Sequence, residues 1–206
     1  MDKDAALSEL RAKLAADTSL PLQESNLVFG EGNPQADVMF IGEAPGAREN
    51  ELGRPFVGRA GQLLDKLIQE VGWRREEVYI TNIVKRRPPE NRDPLPEEIA
   101  AYQPYLAEQI RTIDPKIIVP LGRFSMNFFL PNAKITRDQG KVFRMKGKLI
   151  VPQFHPAAAL RGTETMNALR ASFRKLPIII SRFDELAGNG AVSENSEHAL
   201  LQDSLI

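Results

Sequence analysis

The stretch Ala36-Asp-Val-Met-Phe-Ile-Gly-Glu-Ala-Pro-Gly46 decides the fold: an apolar run stops at a glycine and gives way at once to a polar loop. An unbroken apolar run of this length suits a strand buried on both faces, as in a parallel sheet. Downstream, residues 58–72 put Leu63, Leu64, Leu67, Ile68 and Val71 on one helical stripe. Val78-Tyr-Ile-Thr-Asn-Ile-Val84 is β-branched and reads as a second strand. Residues 96–113 open with Pro-Glu-Glu, as helix starts tend to. Lys116-Ile-Ile-Val-Pro-Leu-Gly122 reads as a third strand, followed by a short helix over 123–130. Residues 141–145 and 148–154 flank Lys146-Gly147 as a hairpin whose second arm is the fourth main strand. A final helix is expected over 164–183, and upstream Leu7, Leu10 and Leu14 mark an amphipathic helix over 4–16. Strands alternating with helices predict an α/β fold, a three-layer α/β/α sandwich around a central, mainly parallel four-stranded sheet.

Three regions are expected: an N-terminal helix and lead-in over 1–26, the main domain over 27–183, and an acidic, flexible tail over 184–206. The chain has 206 residues, enough for one full core, and its 42% apolar share excludes wholesale disorder. No apolar run approaches the ~20 residues of a membrane helix, and the charged N-terminus lacks a signal core. A cytoplasmic protein is the expectation, without a membrane partner. Zero cysteine excludes disulfides and thiolate metal sites. The 27 basic and 27 acidic residues cancel, yet the ends are acidic and the body over 25–182 is basic, which is compatible with nucleic acid.

In parallel α/β sheets the functional crevice lies at the carboxyl ends of the strands. Four polar or glycine-rich segments fall there, 42–58, 81–93, 122–125 and 154–161, and they should converge. The first, from Gly42 through Gly61, is dense enough in glycine for backbone to approach a ligand, but it matches no complete phosphate-binding pattern. Asn82 ends the second strand with an amide that can donate and accept in parallel, which suits a base edge as well as a simple cap. His155, before Pro156 at the fourth strand's end, is either structural or catalytic.

Taken together, Val28-Phe-Gly-Glu-Gly-Asn-Pro34, Gly42-Glu-Ala-Pro-Gly46, Gly53-Arg-Pro-Phe-Val-Gly-Arg-Ala-Gly61, Tyr79-Ile-Thr-Asn-Ile-Val-Lys85, Arg87-Pro-Pro-Glu-Asn-Arg92 and Phe154-His-Pro156 with Leu160-Arg161 resemble the uracil-DNA glycosylase superfamily, family 4 in particular. The resemblance runs from about Leu27 to Phe183. It implies a monofunctional DNA repair glycosylase that flips deoxyuridine out of the stack and hydrolyses its N-glycosidic bond. By the same resemblance Phe56 stacks on uracil, Asn82 reads its edge, and Gly42 and Ala44 line the base site. His155 faces uracil O2, Glu49 and Asn91 place the water, and Glu43 shapes the pocket's electrostatics. Backbone contacts fall to Lys85, Arg86, Arg87, Arg92 and Arg161, and Leu160 is placed like the wedge that fills the vacated stack. The basic hairpin region, with Lys134, Arg137, Lys141, Arg144, Lys146 and Lys148, reads as a further DNA face or as a solvated one.

The family's iron–sulfur cluster is where the resemblance breaks. Arg86 and Tyr102 stand at two of its cysteine positions, and the N-terminal pair would fall within 16–22. No cofactor is therefore expected, with Tyr102 packing near Leu20 and Arg86 either paired or turned to DNA. Asn50 also replaces an aspartate after Glu49. The partner implied is uracil-containing DNA, bound by a monomer, with the tail's partner open. Two alternatives stand beside this reading: a glycosylase for another deaminated base such as hypoxanthine, and a non-catalytic, polymerase-associated DNA-binding module.

Overall fold

A computed structural model describes residues 2–188. The chain runs α1 (Lys3–Ala16), β1 (Glu31–Gly32), β2 (Val38–Gly42), α2 (Ala47–Leu52), α3 (Arg59–Glu70), β3 (Tyr79–Asn82), α4 (Pro96–Ile113), β4 (Ile117–Pro120), α5 (Arg123–Phe129), α6 (Ile135–Asp138), β5 (Phe143–Met145), β6 (Lys148–Ile150), α7 (Pro156–Ala159), α8 (Thr163–Phe173), α9 (Leu176–Ser181) and α10 (Phe183–Ala187). The sheet has six strands in the order β1-β3-β2-β4-β6-β5. Its four central strands are parallel, and the short edge strands β1 and β5 run antiparallel. Four main strands and the hairpin's first arm, here β5, were expected; β1 is additional and escapes notice because two residues carry no readable pattern.

Alternation along the buried strands feeds two cores. Met39 and Ile41 face one side, with Leu14, Tyr102, Leu106 and Ile110 from α1 and α4. Val38 and Phe40 face the other, with Leu64, Leu67 and Phe173 from α3 and α8. Phe40 and Phe173 stack with ring centroids 5.7 Å apart. The N-terminal helix is thus part of the main core rather than an appendage.

The expected final helix over 164–183 is broken into α8, α9 and α10. Pro177, near the start of α9, has no N–H to offer the Phe173 carbonyl, and α8 ends at that residue. Residues 184–187 of the expected tail are helical, and 189–206 lie outside the described residues.

Where the resemblance puts cluster ligands, protein packs against protein. Tyr102 is fully buried in the core that also holds Leu20, and its hydroxyl donates to Pro21 O at 2.7 Å. Arg86 is buried and donates through Nη1 to Ser25 O. With no thiolate in the chain and these side chains in place, the residues do not fit an iron–sulfur cluster. Among the described residues no group of three or more His, Cys, Asp or Glu could hold a metal ion, and no helix is long and apolar enough to cross a membrane.

Tyr102→Phe should cost about 1 kcal/mol, the net worth of one buried hydrogen bond, read as a lower urea midpoint with an unchanged m-value.

Candidate active site

Parallel pairing sets the site. Gly42 and Asn82 are register partners at the ends of β2 and β3, and the pairing continues past them, with Ile83 and Val84 donating to Gly42 O and Glu43 O, each at 3.0 Å. On the other side of β2, Gly122 follows β4, with its N–H on Gln153 O at 2.9 Å. The strand order reverses between β2 and β4, the position at which α/β sheets open a crevice.

Gly42 is a close-approach glycine. A Cβ there would lie 2.3 Å from Asn82 Oδ1 and 2.5 Å from Phe56 Cζ. Amide and ring therefore meet over one bare Cα. Asn82 is only 2% exposed, and among the described residues its side-chain amide makes no hydrogen bond. Phe56 is buried too, with its ring centroid 5.7 Å from that of His155 and the planes tilted by 32°. Gly122, at φ +89°, leaves room for His155, whose Cβ would stand 3.0 Å from an added Cβ. Phe56, Asn82 and His155, far apart in the chain, come together in space.

His155 caps α7, and its Nδ1 accepts the Ala157 N–H at 3.1 Å. A neutral ring then carries its proton on Nε2. Burial pulls the pKa down to about 4, against the opposing charge of Glu49. Because that value lies below the ordinary 6.5, the ring costs fold stability as pH falls from 6.5 toward 4.

Beside His155 opens a cleft of about 340 Å³, whose walls include Glu43, Asp93, Arg123, Phe124 and Arg161. Phe56 and Asn82 are not in its walls; they meet at Gly42, and the Phe56 ring lies against His155, which does line the cleft. Burial, reinforced by Asp93 and opposed by Arg123, raises the Glu43 carboxyl to about 7. Glu49 turns Oε1 to the N–H groups of Val57 at 2.9 Å and Gly58 at 2.8 Å, where α3 begins. A Cβ on Gly46 would lie 2.8 Å from Glu49 Oε2, so a side chain at that position would evict the carboxylate.

The model of the uracil DNA glycosylase superfamily matches residues 29–176. The chain belongs to this superfamily. A type-4 uracil-DNA glycosylase of Sulfurisphaera tokodaii is 47% identical over 162 residues, covering 74% of each chain. One of Thermotoga maritima is 47% identical over 154 residues, covering 73% of this chain and 80% of that one. A DNA polymerase of Bacillus phage SP01 is 37% identical over 133 residues, which are 64% of this chain and 14% of the polymerase.

The structure of this uracil-DNA glycosylase superfamily member redirects several residues that the sequence suggested for DNA. Lys85 is fully buried. Its Nζ donates to Thr81 Oγ1 and Asn82 O, both at 2.7 Å, and to Gln109 Oε1, and burial holds its pKa well below the usual range. It braces β3 from behind instead of meeting phosphate. Arg86, expected either paired or turned to DNA, is paired, donating inward to Ser25 O. Arg92 grips the buried Glu98 with two bonds of 2.8 and 2.6 Å, so its charge is already matched. Arg87 donates to Asn91 Oδ1 at 2.7 Å, and Asn91 is exposed and outside the cleft wall. From the same segment it is Asp93 that reaches the cleft, paired with Arg123 at 2.9 Å.

Arg161 lines the cleft and Leu160 is 41% exposed beside it, both in position to meet a ligand at the rim. Among the hairpin cations, Arg137 and Lys141 pair with buried Asp138, Arg144 donates to Leu186 O, and Lys148 is buried against Asp114. Lys148 opens β6, at the end of the sheet opposite the crevice, and cannot share a DNA face with His155. Asn50 faces away as well, bonded twice to Asn26 at 2.8 Å. Ala44 is half-buried against the α4 side of the core. Asp93, Arg123 and Phe124 lie in the segments 81–93 and 122–125 expected at the crevice, although none of the three was singled out there.

An NMR titration should find the His155 ring neutral with the proton on Nε2 from pH 8 down to 6, with protonation only near the value of about 4 set by burial.

Proposed function

We propose that the protein is a monofunctional uracil-DNA glycosylase of base-excision repair, which flips deoxyuridine out of DNA and hydrolyses its N-glycosidic bond, releasing uracil and leaving an abasic site. The observation that carries this reading is the Asn82 amide, bonded to no protein group among the described residues, on a residue only 2% exposed, and set against the Phe56 ring across Gly42. An amide with no protein partner is free to bond a ligand, and a pyrimidine edge supplies a donor and an acceptor in parallel. With Oδ1 accepting from N3–H and Nδ2 donating to O4, uracil fits; cytosine reverses both polarities and is rejected. Phe56 supplies the stacking face.

As the glycosidic bond breaks, negative charge moves onto the base and positive charge onto the sugar. The His155 Nε2–H donates to uracil O2 and stabilises the departing base without giving up its proton. Glu49 keeps Oε2 for the attacking water, since Oε1 is committed to the start of α3. Asn91, tied to Arg87, holds the loop that brings Asp93 to the cleft rather than the water itself. Ionised Glu43 faces the cleft and favours the cationic sugar. Arg161, Arg87 and Leu160 meet the DNA, and the enzyme works without a metal cluster.

The test is a uracil-containing oligonucleotide followed by alkali and a gel. Strand breaks that require the protein support the enzyme, and binding without an abasic product supports a non-catalytic module. His155→Ala should lower the single-turnover rate by about 10²–10³-fold, the usual loss for one such donor. Asn82→Ala should lose uracil excision with the fold intact by circular dichroism. The rate should rise with pH through about 7 as Glu43 ionises, and Glu43→Gln should flatten that limb. Stoichiometric iron in the purified protein would contradict the cluster-free reading.

A further inference from the structure

Phe56 has φ +49°, in the left-handed region that a bulky residue rarely enters. Such a backbone persists only where its surroundings over-determine it. Three elements converge on it. Glu49 accepts from the next two N–H groups along the chain, those of Val57 and Gly58. Beneath it lies Gly61, where a Cβ would stand 1.9 Å from Phe56 O. Arg75, from the single 3-10 turn between α3 and β3, donates to the carbonyls, Pro55 O at 2.6 Å and Phe56 O at 3.3 Å.

Arg75 is itself fixed. Its side chain is 15% exposed, with Nε and Nη2 on Glu31 Oε1 at 2.9 and 2.8 Å and Nη1 on Asp65 Oδ1 at 2.5 Å. Glu31, on β1, also takes Arg54 from the Phe56 loop at 2.7 Å and 3.0 Å. A planar guanidinium can serve two carboxylates and two carbonyls at once because its N–H groups point outward in one plane; an ammonium cannot copy that fan.

We propose that Arg75, anchored by Glu31 and Asp65, is a positioning residue for the base: it locks the left-handed backbone at Phe56 and so aims the ring over Gly42 and beside His155. The proposal rests on the reading of Phe56 as the stacking face. It assigns Arg75 no contact with DNA. It also gives the two-residue strand β1 a purpose, since Glu31 is half of the anchor.

The experiment is a double-mutant cycle of Arg75→Lys and Phe56→Ala, read by single-turnover excision, inhibition by free uracil, and melting temperature. Arg75→Lys should slow excision about tenfold and weaken uracil inhibition by a similar factor, as expected of a slightly misplaced ring. Added to Phe56→Ala, it should cost nothing further, since there is no ring left to aim. Equal losses in both backgrounds, or an intact uracil inhibition constant, would overturn the proposal and leave Arg75 a stabilising or DNA-contacting residue. If Phe56→Ala alone leaves excision and uracil inhibition unchanged, the stacking reading itself fails, a result distinct from additivity. Asp65→Asn loosens the anchor while keeping the fork; it should show the same non-additivity with a smaller loss, and it carries the test if Arg75→Lys does not fold.

Discussion

The absence of a side chain at Gly42 is the constraint on which the site depends. The parallel register places Gly42 against Asn82, and the missing Cβ lets the Phe56 ring reach the same point. Any larger residue would have to push apart an amide and an aromatic ring, both of them buried. The glycines around it repeat the logic with different partners: Gly46 spares the Glu49 carboxylate, Gly61 admits the Phe56 carbonyl, and Gly122 admits His155. Backbone approach, rather than a large cavity, brings these groups together.

Electrostatics then divides the labour between two titratable groups. Burial moves His155 and Glu43 in opposite directions, the first down to about 4 and the second up to about 7. The imidazole stays neutral and keeps a proton to share, and the carboxyl sits where a small change of pH alters its charge. Both shifts work against the fold. The imidazole lowers stability below pH 6.5, and the carboxyl lowers it as pH rises from 4.5 toward 7. Both groups line the same cleft.

The central strands and helices were legible because β2, β3 and β4 are unbroken apolar runs and α3 carries a clean stripe. The hairpin turn at Lys146-Gly147 was equally plain. Direction was not legible. Lys85, Arg86 and Arg92 advertise charge in a basic loop, yet Lys85 folds back on its own strand, Arg86 fills a position on the α4 side, and Arg92 answers a buried glutamate. Charge in sequence gives no information about which way a long side chain turns. That Asp93 and not Asn91 reaches the cleft was hidden for a related reason: Glu90 and Asn91 both take positive φ, and that turn decides which residue faces the cleft. The Arg75 fork had no sequence signature, because its partners come from β1, α3 and a loop.

The account is tested most directly by the density of free uracil soaked into crystals of the protein. It predicts the base stacked on Phe56, its N3 and O4 within hydrogen-bond distance of the Asn82 amide and its O2 facing His155 Nε2. Uracil bound elsewhere on the molecule, or in this site with its polar edge turned away from Asn82, would contradict it.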